Sequence, residues 1–485
     1  MIKKSDLDLN SGLIKPLKTR WVYKLKESND YYEFKARFVA KGFEQLYGLD
    51  FIDSYASVIK QIAWKLVFAL AVINNWLIYK VDMISAFTQG NIDINYLYLA
   101  LPKGIDNIDP NDYLLKLNKA LYGLKQSARI WYFTLYNVLI KLGFTTLIAE
   151  NCIFINKAIN VIICVYVDDL AIIGPNKDTI DSLISSLEQY FKIKNLGLIK
   201  DYLGIEVDLN LDKGYIKLNQ SKYISNILEK YKMKDCKPIA TPMDAKISYT
   251  LTPNINKATI ETIKWFQGLI GCLLYITLAT RTDIAYSVIK LSRFASNPSE
   301  THIVAIKRIL RYLKSTIDYS IIYYKNKSTS NYISAYTDSD YAGDINTAKS
   351  TTGYIFFLAN GPISWKSKLQ TVIAQSTTEA EYIAINAATK EAVYIKAILE
   401  ELGHYKQEKF PIYSDNNGAL LLAKNPVFHE RTKHIAVKYH YIRDLIDKGI
   451  IDLIYINTNE QKADGLTKAL ERVKYKTFLD FIGFI

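Results

Sequence analysis

Two adjacent carboxylates, Asp168 and Asp169, interrupt the apolar, β-branched run Val161-Ile-Ile-Cys-Val-Tyr-Val-Asp-Asp-Leu-Ala-Ile-Ile-Gly174. A run of that texture reads as a buried strand pair that turns at the acidic step. Carboxylates amid hydrophobic strands are costly unless a cation compensates them, and no Lys or Arg lies within the segment. A hard divalent cation is the natural compensator. Mg²⁺ takes one or two protein carboxylates and completes its shell with water and substrate phosphates, the arrangement that serves nucleotidyl transfer. An Asp-Asp turn in an ordinary hairpin is the alternative. A two-metal site also needs a third carboxylate from a neighbouring strand, and Asp82, closing the apolar Leu77-Ile-Tyr-Lys-Val81, can supply it.

Elements able to position these groups are legible in the hydrophobic pattern. Up to about residue 210, short β-branched runs alternate with amphipathic segments such as 64–76 and 129–142, which implies an α+β domain built around a sheet. Residues 178–191 read as a helix capped by Asp178 or Thr179. From about 215 to 325 the pattern turns helical, including 223–231 and 301–314, and the Pro-containing stretch 237–253 reads as a linker. A third region opens near Asn331 with strand-like segments, continues through 353–358, forms a helix over 377–402 and returns to a strand at 410–413. Sheet first and helices after resemble a compact α/β nuclease core.

With 485 residues, 49% hydrophobic and 22% charged, the chain is globular and long enough for two to four domains. A net charge of +13 and a pI near 9.1 favour a polyanionic partner, because lysines and arginines near phosphates release counterions. The 37 tyrosines accompany abundant Ile, Lys, Asn and Phe, all with AT-rich codons, so most of the aromatic excess reads as genome bias. Cys152, Cys164, Cys236 and Cys272 form no C-x-x-C pair, which argues against a zinc knuckle or disulfide scaffold and for buried thiols in a reducing compartment. No apolar region follows the N-terminus as in a secretory signal. The apolar stretch 66–79 is broken by Asn74-Asn75, so no membrane span is expected.

Segments in order along the chain resemble the reverse transcriptase and ribonuclease H region of copia-type LTR retrotransposon Pol polyproteins. They are Lys35-Ala-Arg-Phe-Val-Ala-Lys-Gly-Phe43, Val81 to Gly90, Leu121-Tyr-Gly-Leu-Lys-Gln-Ser-Ala-Arg-Ile-Trp-Tyr132, Tyr166-Val-Asp-Asp169 and Tyr202-Leu-Gly-Ile-Glu206. The likeness continues through 278–286, 307–314, 349–354, 364–367, 378–383, 431–435 and Ala463-Asp-Gly-Leu-Thr-Lys468. It implies a right-hand polymerase of fingers, palm and thumb with a helical connector and a C-terminal ribonuclease H-like α/β domain. The expected divisions are 1–210 for fingers and palm, 211–328 for thumb and connection, and 329–485 for the ribonuclease H-like domain.

The resemblance implies Asp82, Asp168 and Asp169 as a polymerase triad holding two Mg²⁺ (or Mn²⁺) ions, with Tyr166 beside them in the nucleotide-binding set. Lys35, Arg37 and Lys41 fall where a fingers strand reaches the triphosphate, with a solvated strand face as the alternative. Phe87 occupies the position of a ring held against the incoming sugar, or packs as a core residue. Gly123, Lys125 and Gln126 would shape the nucleotide or template pocket, Gly123 because backbone must approach the ligand. Asp338, Glu379, Asp415 and Asp464 are implied as a second, ribonuclease H set holding two further ions, with Asp340 and Glu381 at the surface or behind the ligands. His429, His434 and His440, interleaved with Arg431, Lys433, Lys438 and Arg443, read as a basic strip facing substrate or solvent. No histidine occupies 455–463, where some ribonucleases H carry one before the last carboxylate.

The function so implied is RNA-directed DNA polymerisation coupled to degradation of RNA in the hybrid. Its expected partners are an RNA template, a DNA primer, the RNA-DNA hybrid and dNTPs, with integrase and capsid proteins of the same element as associates and no membrane. Localisation is expected in a cytoplasmic virus-like particle or the nucleus. The N-terminus lies just upstream of Trp21-Val-Tyr-Lys24, and no protease-like or integrase pattern precedes it, so the chain reads as the C-terminal part of a longer Pol or a truncated copy. A decayed or domesticated nucleic-acid binder is the rival; the presence of all seven expected carboxylates favours the enzyme. A group II intron or telomerase-like polymerase is disfavoured by the ribonuclease H pattern behind the palm.

Overall fold

A computed structural model describes residues 1–7, 15–28, 31–102, 104–105, 108–248, 251–325, 333–405, 407–424 and 436–484. They fall into two compact units, Met1–Ile59 with Tyr79–Leu198, and Lys60–Ile78 with Ile199–Ile485. Regions expected as thumb/connection and as ribonuclease H-like thus share one unit.

A six-stranded sheet organises the first unit, in the order Ile193–Leu198, Leu77–Met83, Asp169–Gly174, Val161–Tyr166, Ile153–Asn156, Thr145–Thr146. Residues 161–165 and 170–174 are buried, so the β-branched run fills the sheet interior as its texture dictates. Strands Val161–Tyr166 and Asp169–Gly174 pair antiparallel with Tyr166 opposite Asp169, which leaves Val167 and Asp168 as a two-residue turn. Helix Lys177–Glu188 follows. Its cap is Asn176, whose side chain accepts from Thr179 N, and not Asp178 or Thr179. Asn176 holds the extended backbone a cap requires, and Asp178 lies in the first turn, where its charge meets the positive end of the helix dipole.

An antiparallel ribbon of Thr19–Ser28 and Tyr31–Ala40 has two unlike faces, since pairs such as Trp21↔Phe38 and Lys24↔Lys35 alternate in side. Trp21, Tyr23, Leu25, Phe34 and Phe38 occupy one face, and Arg20, Lys24, Lys35 and Arg37 the other.

In the second unit, helix Gln61–Asn74 departs from the amphipathic expectation: it is buried from Ile62 through Val72. A helix apolar all round belongs in a core. Its Lys65 is buried too, donating to Leu278 O at 2.9 Å with its ammonium 3.9 Å over the Trp365 ring. The stretch read as a linker is laced along helix Glu300–Ser315, where Arg311 donates to Lys237 O (2.7 Å), Ser315 to Ile239 O (2.8 Å) and Arg308 to Thr241 Oγ1 (2.9 Å). Helix Ile260–Ala279 is long and apolar enough to cross a membrane by length and composition, which the sequence reading overlooked. Here it buries Phe266, Leu269, Leu273 and Ile276, spaced as one helical face, within the unit.

The five-stranded sheet of this unit runs Gly361–Leu369, Thr351–Leu358, Ser334–Ser339, Phe410–Ser414, Ile451–Tyr455. The first three strands pair antiparallel, and the last two join Ser334–Ser339 in parallel. Helix Thr377–Glu401 packs on it, capped by Ser376.

Candidate functional site

Asp82, Asp168 and Asp169 come together in the first unit, close enough for the first two to act on the third electrostatically. Asp168 sits in the hairpin turn and its carbonyl accepts from Met83 N at 2.9 Å, tying the turn to the strand that carries Asp82. Val167, beside it, adopts φ +54°, an uncommon conformation for a β-branched residue. The Val167 carbonyl is held by the Trp131 indole N–H at 2.6 Å, so helix Ser127–Lys141 pins the turn. Trp131 lies within a quoted motif, but its role as anchor was not anticipated.

Counter-charge comes from a neighbouring strand, although none exists within residues 161–174. Lys80 Nζ lies 3.6 Å from Asp169 Oδ1, with the lysine side chain 13% exposed. Burial raises the Asp169 pKa; Lys80 opposes that rise, and Asp168 and Asp82 add to it. Lys194 stands across the ladder from Asp82.

Around the triad, Phe87 is half-buried and packs against Tyr122 with ring centroids 4.9 Å apart. Tyr122 also lies 5.8 Å from the Arg37 guanidinium. Burial raises the Tyr122 pKa, with Asp168 adding and Arg37 opposing, which places this phenol in the electrostatic field of both the triad and the fingers ribbon. It was missed although its motif was quoted. Lys35, Arg37 and Lys41 are half-buried, and Tyr166 is exposed at the hairpin end.

The next loop needs correction. Gly123 has φ +93°, and a Cβ there would meet Ala40 O at 2.1 Å, so contact with the ribbon's base by itself requires a glycine. Gln126 is fully buried; its amide donates to Asp50 O (2.9 Å) and accepts from Gln45 Nε2 (3.0 Å), so it braces the loop. Lys125 donates to Gln45 O (3.3 Å) and covers the Phe51 ring at 4.6 Å.

The second acidic set also assembles, with one substitution. Ligand-capable atoms of Asp338, Glu381 and Asp415 lie within 4.8 Å of one another. Glu379, expected there, instead accepts from Gln375 N (2.8 Å) at the start of the helix. Residues two apart on a helix point to different sides, so Glu379 and Glu381 cannot both face the sheet. Glu381, expected at the surface or behind the ligands, is 6% exposed; one carboxylate oxygen accepts from Ser339 N (3.1 Å) and the other has no partner among the described residues. Burial, then Asp338 and Asp415, push its pKa well up.

Asp338 is 4% exposed and accepts from Thr467 Oγ1. Burial and the neighbouring Asp464 raise its pKa to about 7, against the pull of Lys468 and Thr467. Asp464 is paired with Lys468 at 2.8 Å. Asp340 is tied to Thr351 N, away from the cluster. A buried, partnerless carboxylate oxygen among crowded carboxylates, with the adjoining acid near neutrality, is a donor set that fits divalent ions. His429 and His434 of the basic strip lie outside the described residues, whereas His440 is exposed on helix Ala436–Asp447.

The two acidic clusters thus stand on two sheets of a mixed α+β fold, one at a hairpin turn and one in a buried cluster. Residues 7–245 match the family described as reverse transcriptase (RNA-dependent DNA polymerase). The chain is 36% identical over 97% of its length to the Pol polyprotein of transposon TNT 1-94 from Nicotiana tabacum, covering 36% of that protein. It is 30% identical to a putative transposon Ty5-1 protein of Saccharomyces cerevisiae, over 64% of this chain and 99% of that one. The foamy viral protease-reverse transcriptase, solved in complex with dsDNA, aligns over 90% of this chain and 78% of its own at 14% identity and a TM-score of 0.48. This chain belongs to the copia-type retrotransposon Pol family and carries its reverse transcriptase domain. It spans 36% of the TNT 1-94 polyprotein's length and 31% of that of its relative from transposon RE1 of Arabidopsis thaliana.

Proposed function

We propose that the chain is an RNA-directed DNA polymerase with an attached ribonuclease H, acting on an RNA template, a DNA primer, dNTPs and the resulting hybrid. The observation that carries this reading is the juxtaposition of Asp82 with the Asp168–Asp169 turn in a member of the reverse transcriptase family. Asp82, Asp168 and Asp169 would hold Mg²⁺ or Mn²⁺, which when bound supplies charge stabilisation to a nucleophilic oxygen and to a departing one. The Met83 main-chain N–H and the Trp131 indole N–H, donating to the turn's carbonyls, hold the turn rigid, so that its carboxylates need not reorganise during transfer. Arg37 and Tyr122 flank the triad as charge and ring for a nucleotide, and Phe87, braced by Tyr122, stands as a steric filter for the sugar.

In the second unit, Asp338, Glu381, Asp415 and Asp464 would hold ions for hydrolysis of the RNA strand. Glu381, not Glu379, is the helix ligand in this proposal, on the strength of its orphaned buried oxygen. Association with integrase or capsid proteins of the element, in a virus-like particle or the nucleus, belongs to the same proposal.

Primer extension on an RNA template by the purified chain tests it. Extension by the wild type, its loss in Asp168→Ala and retained hybrid binding by that variant are expected; hybrid binding without extension by the wild type would leave only a nucleic-acid binder.

A further inference from the structure

Asp82, Asp168 and Asp169 bring three carboxylates to one end of a sheet that is otherwise apolar. Among the described residues, the cation within salt-bridge distance of any of them is Lys80, 3.6 Å from Asp169. Lys80 is two residues before Asp82 on strand Leu77–Met83, so the alternation of side chains sets it on the same face as Asp82. That strand neighbours Asp169–Gly174, which puts the ammonium between the two carboxylate-bearing strands. At 13% exposure, the lysine side chain is largely withdrawn from water, where a positive charge is costly without a function or a partner.

We propose that Lys80 is a positioning residue, a resident counter-ion that holds Asp169 while the polymerase site is empty of metal and lowers the affinity of that site for divalent ions. The proposal rests on the polymerase reading of the three aspartates. Three carboxylates without counter-charge repel one another; one ammonium removes a third of that negative charge and keeps Asp169 in place. Once divalent ions are present, the same ammonium is a like charge a few ångström from them and opposes their binding. An empty site is thereby stabilised and a filled one penalised. Ions then load fully only with the extra oxygens of a nucleotide's phosphates, which couples ion entry to substrate entry.

The test uses the full chain carrying Asp415→Asn to weaken the second acidic centre. Mn²⁺ binding is titrated by electron paramagnetic resonance without nucleotide, and thermal unfolding is followed in EDTA and at saturating Mn²⁺. Lys80→Gln keeps the length of the side chain and removes its charge. It should bind Mn²⁺ roughly tenfold more tightly, as expected for deleting a unit charge beside a ligand carboxylate. Its Tm should fall in EDTA, and the gap to the parent should close at saturating Mn²⁺. Lys80→Arg should stay near the parent in both measurements.

Unchanged or weaker Mn²⁺ binding by Lys80→Gln would overturn the proposal. So would a Tm deficit of equal size with and without Mn²⁺, the signature of a merely structural lysine, or a failure of Mn²⁺ to restore folding. Asp168→Asn in the same background separates the two readings: if it leaves the parent's Mn²⁺ isotherm unaltered, the polymerase assignment itself falls, and the counter-ion role with it.

Discussion

The two acidic centres crowd their carboxylates at different depths of burial. At the hairpin, the carboxylates stand at a turn and a strand end, partly exposed, with Lys80 as counter-charge. At the C-terminal sheet, Asp338 and Glu381 are buried at 4% and 6% exposure, and burial together with the neighbouring carboxylates raises the pKa of each. A site that, as proposed, shared its ions with an arriving triphosphate could stay open and loosely charged. A cage of protein oxygens must be built in the interior, and its own repulsion is then stored in the metal-free fold. Burial raises the pKa of Asp169 as it does those of Asp338 and Glu381; what differs is the depth of burial, with Lys80 opposing the rise at Asp169.

The strongest test of that contrast is separability. Asp168→Ala should abolish primer extension, by roughly 10³-fold or more as for removal of a core catalytic group, and spare hybrid cleavage. Asp415→Asn should do the reverse. Loss of both activities from either variant, with circular dichroism unchanged, would mean that the centres are not independent.

Next in size is the helix ligand. Glu381→Gln keeps an acceptor for Ser339 N and removes a carboxyl whose ionisation burial opposes, so it should eliminate hybrid cleavage and raise the Tm of the metal-free protein. Glu379→Gln should retain cleavage and cost at most about 1 kcal/mol at the helix start. The opposite ranking in a cleavage assay would restore Glu379.

Phe87→Ala should raise ribonucleotide use relative to deoxynucleotide by tens of fold, on the order of 2 to 3 kcal/mol of discrimination. Competitive single-nucleotide incorporation reads this directly. An unstable variant with unchanged preference would make Phe87 only the ring that supports Tyr122.

The smallest effect is on pH. With a folded pKa of about 7, above the ordinary Asp value of 3.8, Asp338 stays protonated in the metal-free fold through weakly acidic pH. The stability it contributes is fully present below its unfolded pKa and is lost as pH rises through about 7, where the buried carboxyl must ionise. Metal uptake should therefore release protons near neutrality. Calorimetry in buffers of different ionisation enthalpy measures that release, and Asp338→Asn should flatten the decline in Tm between about pH 4 and 7, the window those values set. A decline unchanged in the variant would place the burden on Glu381.

Much of the arrangement was readable because chemistry and periodicity coincide. The β-branched run around Asp168 could only be a buried strand pair, and helices 300–315 and 377–401 appeared within a residue or so of their patterned bounds. Other features escaped for local reasons. Glu379 and Glu381 have the same chemistry two residues apart, and nothing in the string Thr-Glu-Ala-Glu says which side of the helix meets the sheet. Gln126 and Gly123 looked like pocket residues because polar groups and glycine in a motif suggest ligands; here they serve the packing of one loop on another. Lys65, an ammonium in an apolar helix, gave no hint that it would be buried over Trp365, 300 positions away in the chain.

By itself the sequence determined which groups could do chemistry, the strands and helices that carry them and the family to which they belong, because residue type and spacing are local properties. Only the tertiary structure decided which carboxylates share a cage, which lysine neutralises which aspartate and which glutamate turns inward. Those outcomes depend on strand order and helix rotation, and so on contacts between residues whose separation along the chain carries no signal of their separation in space.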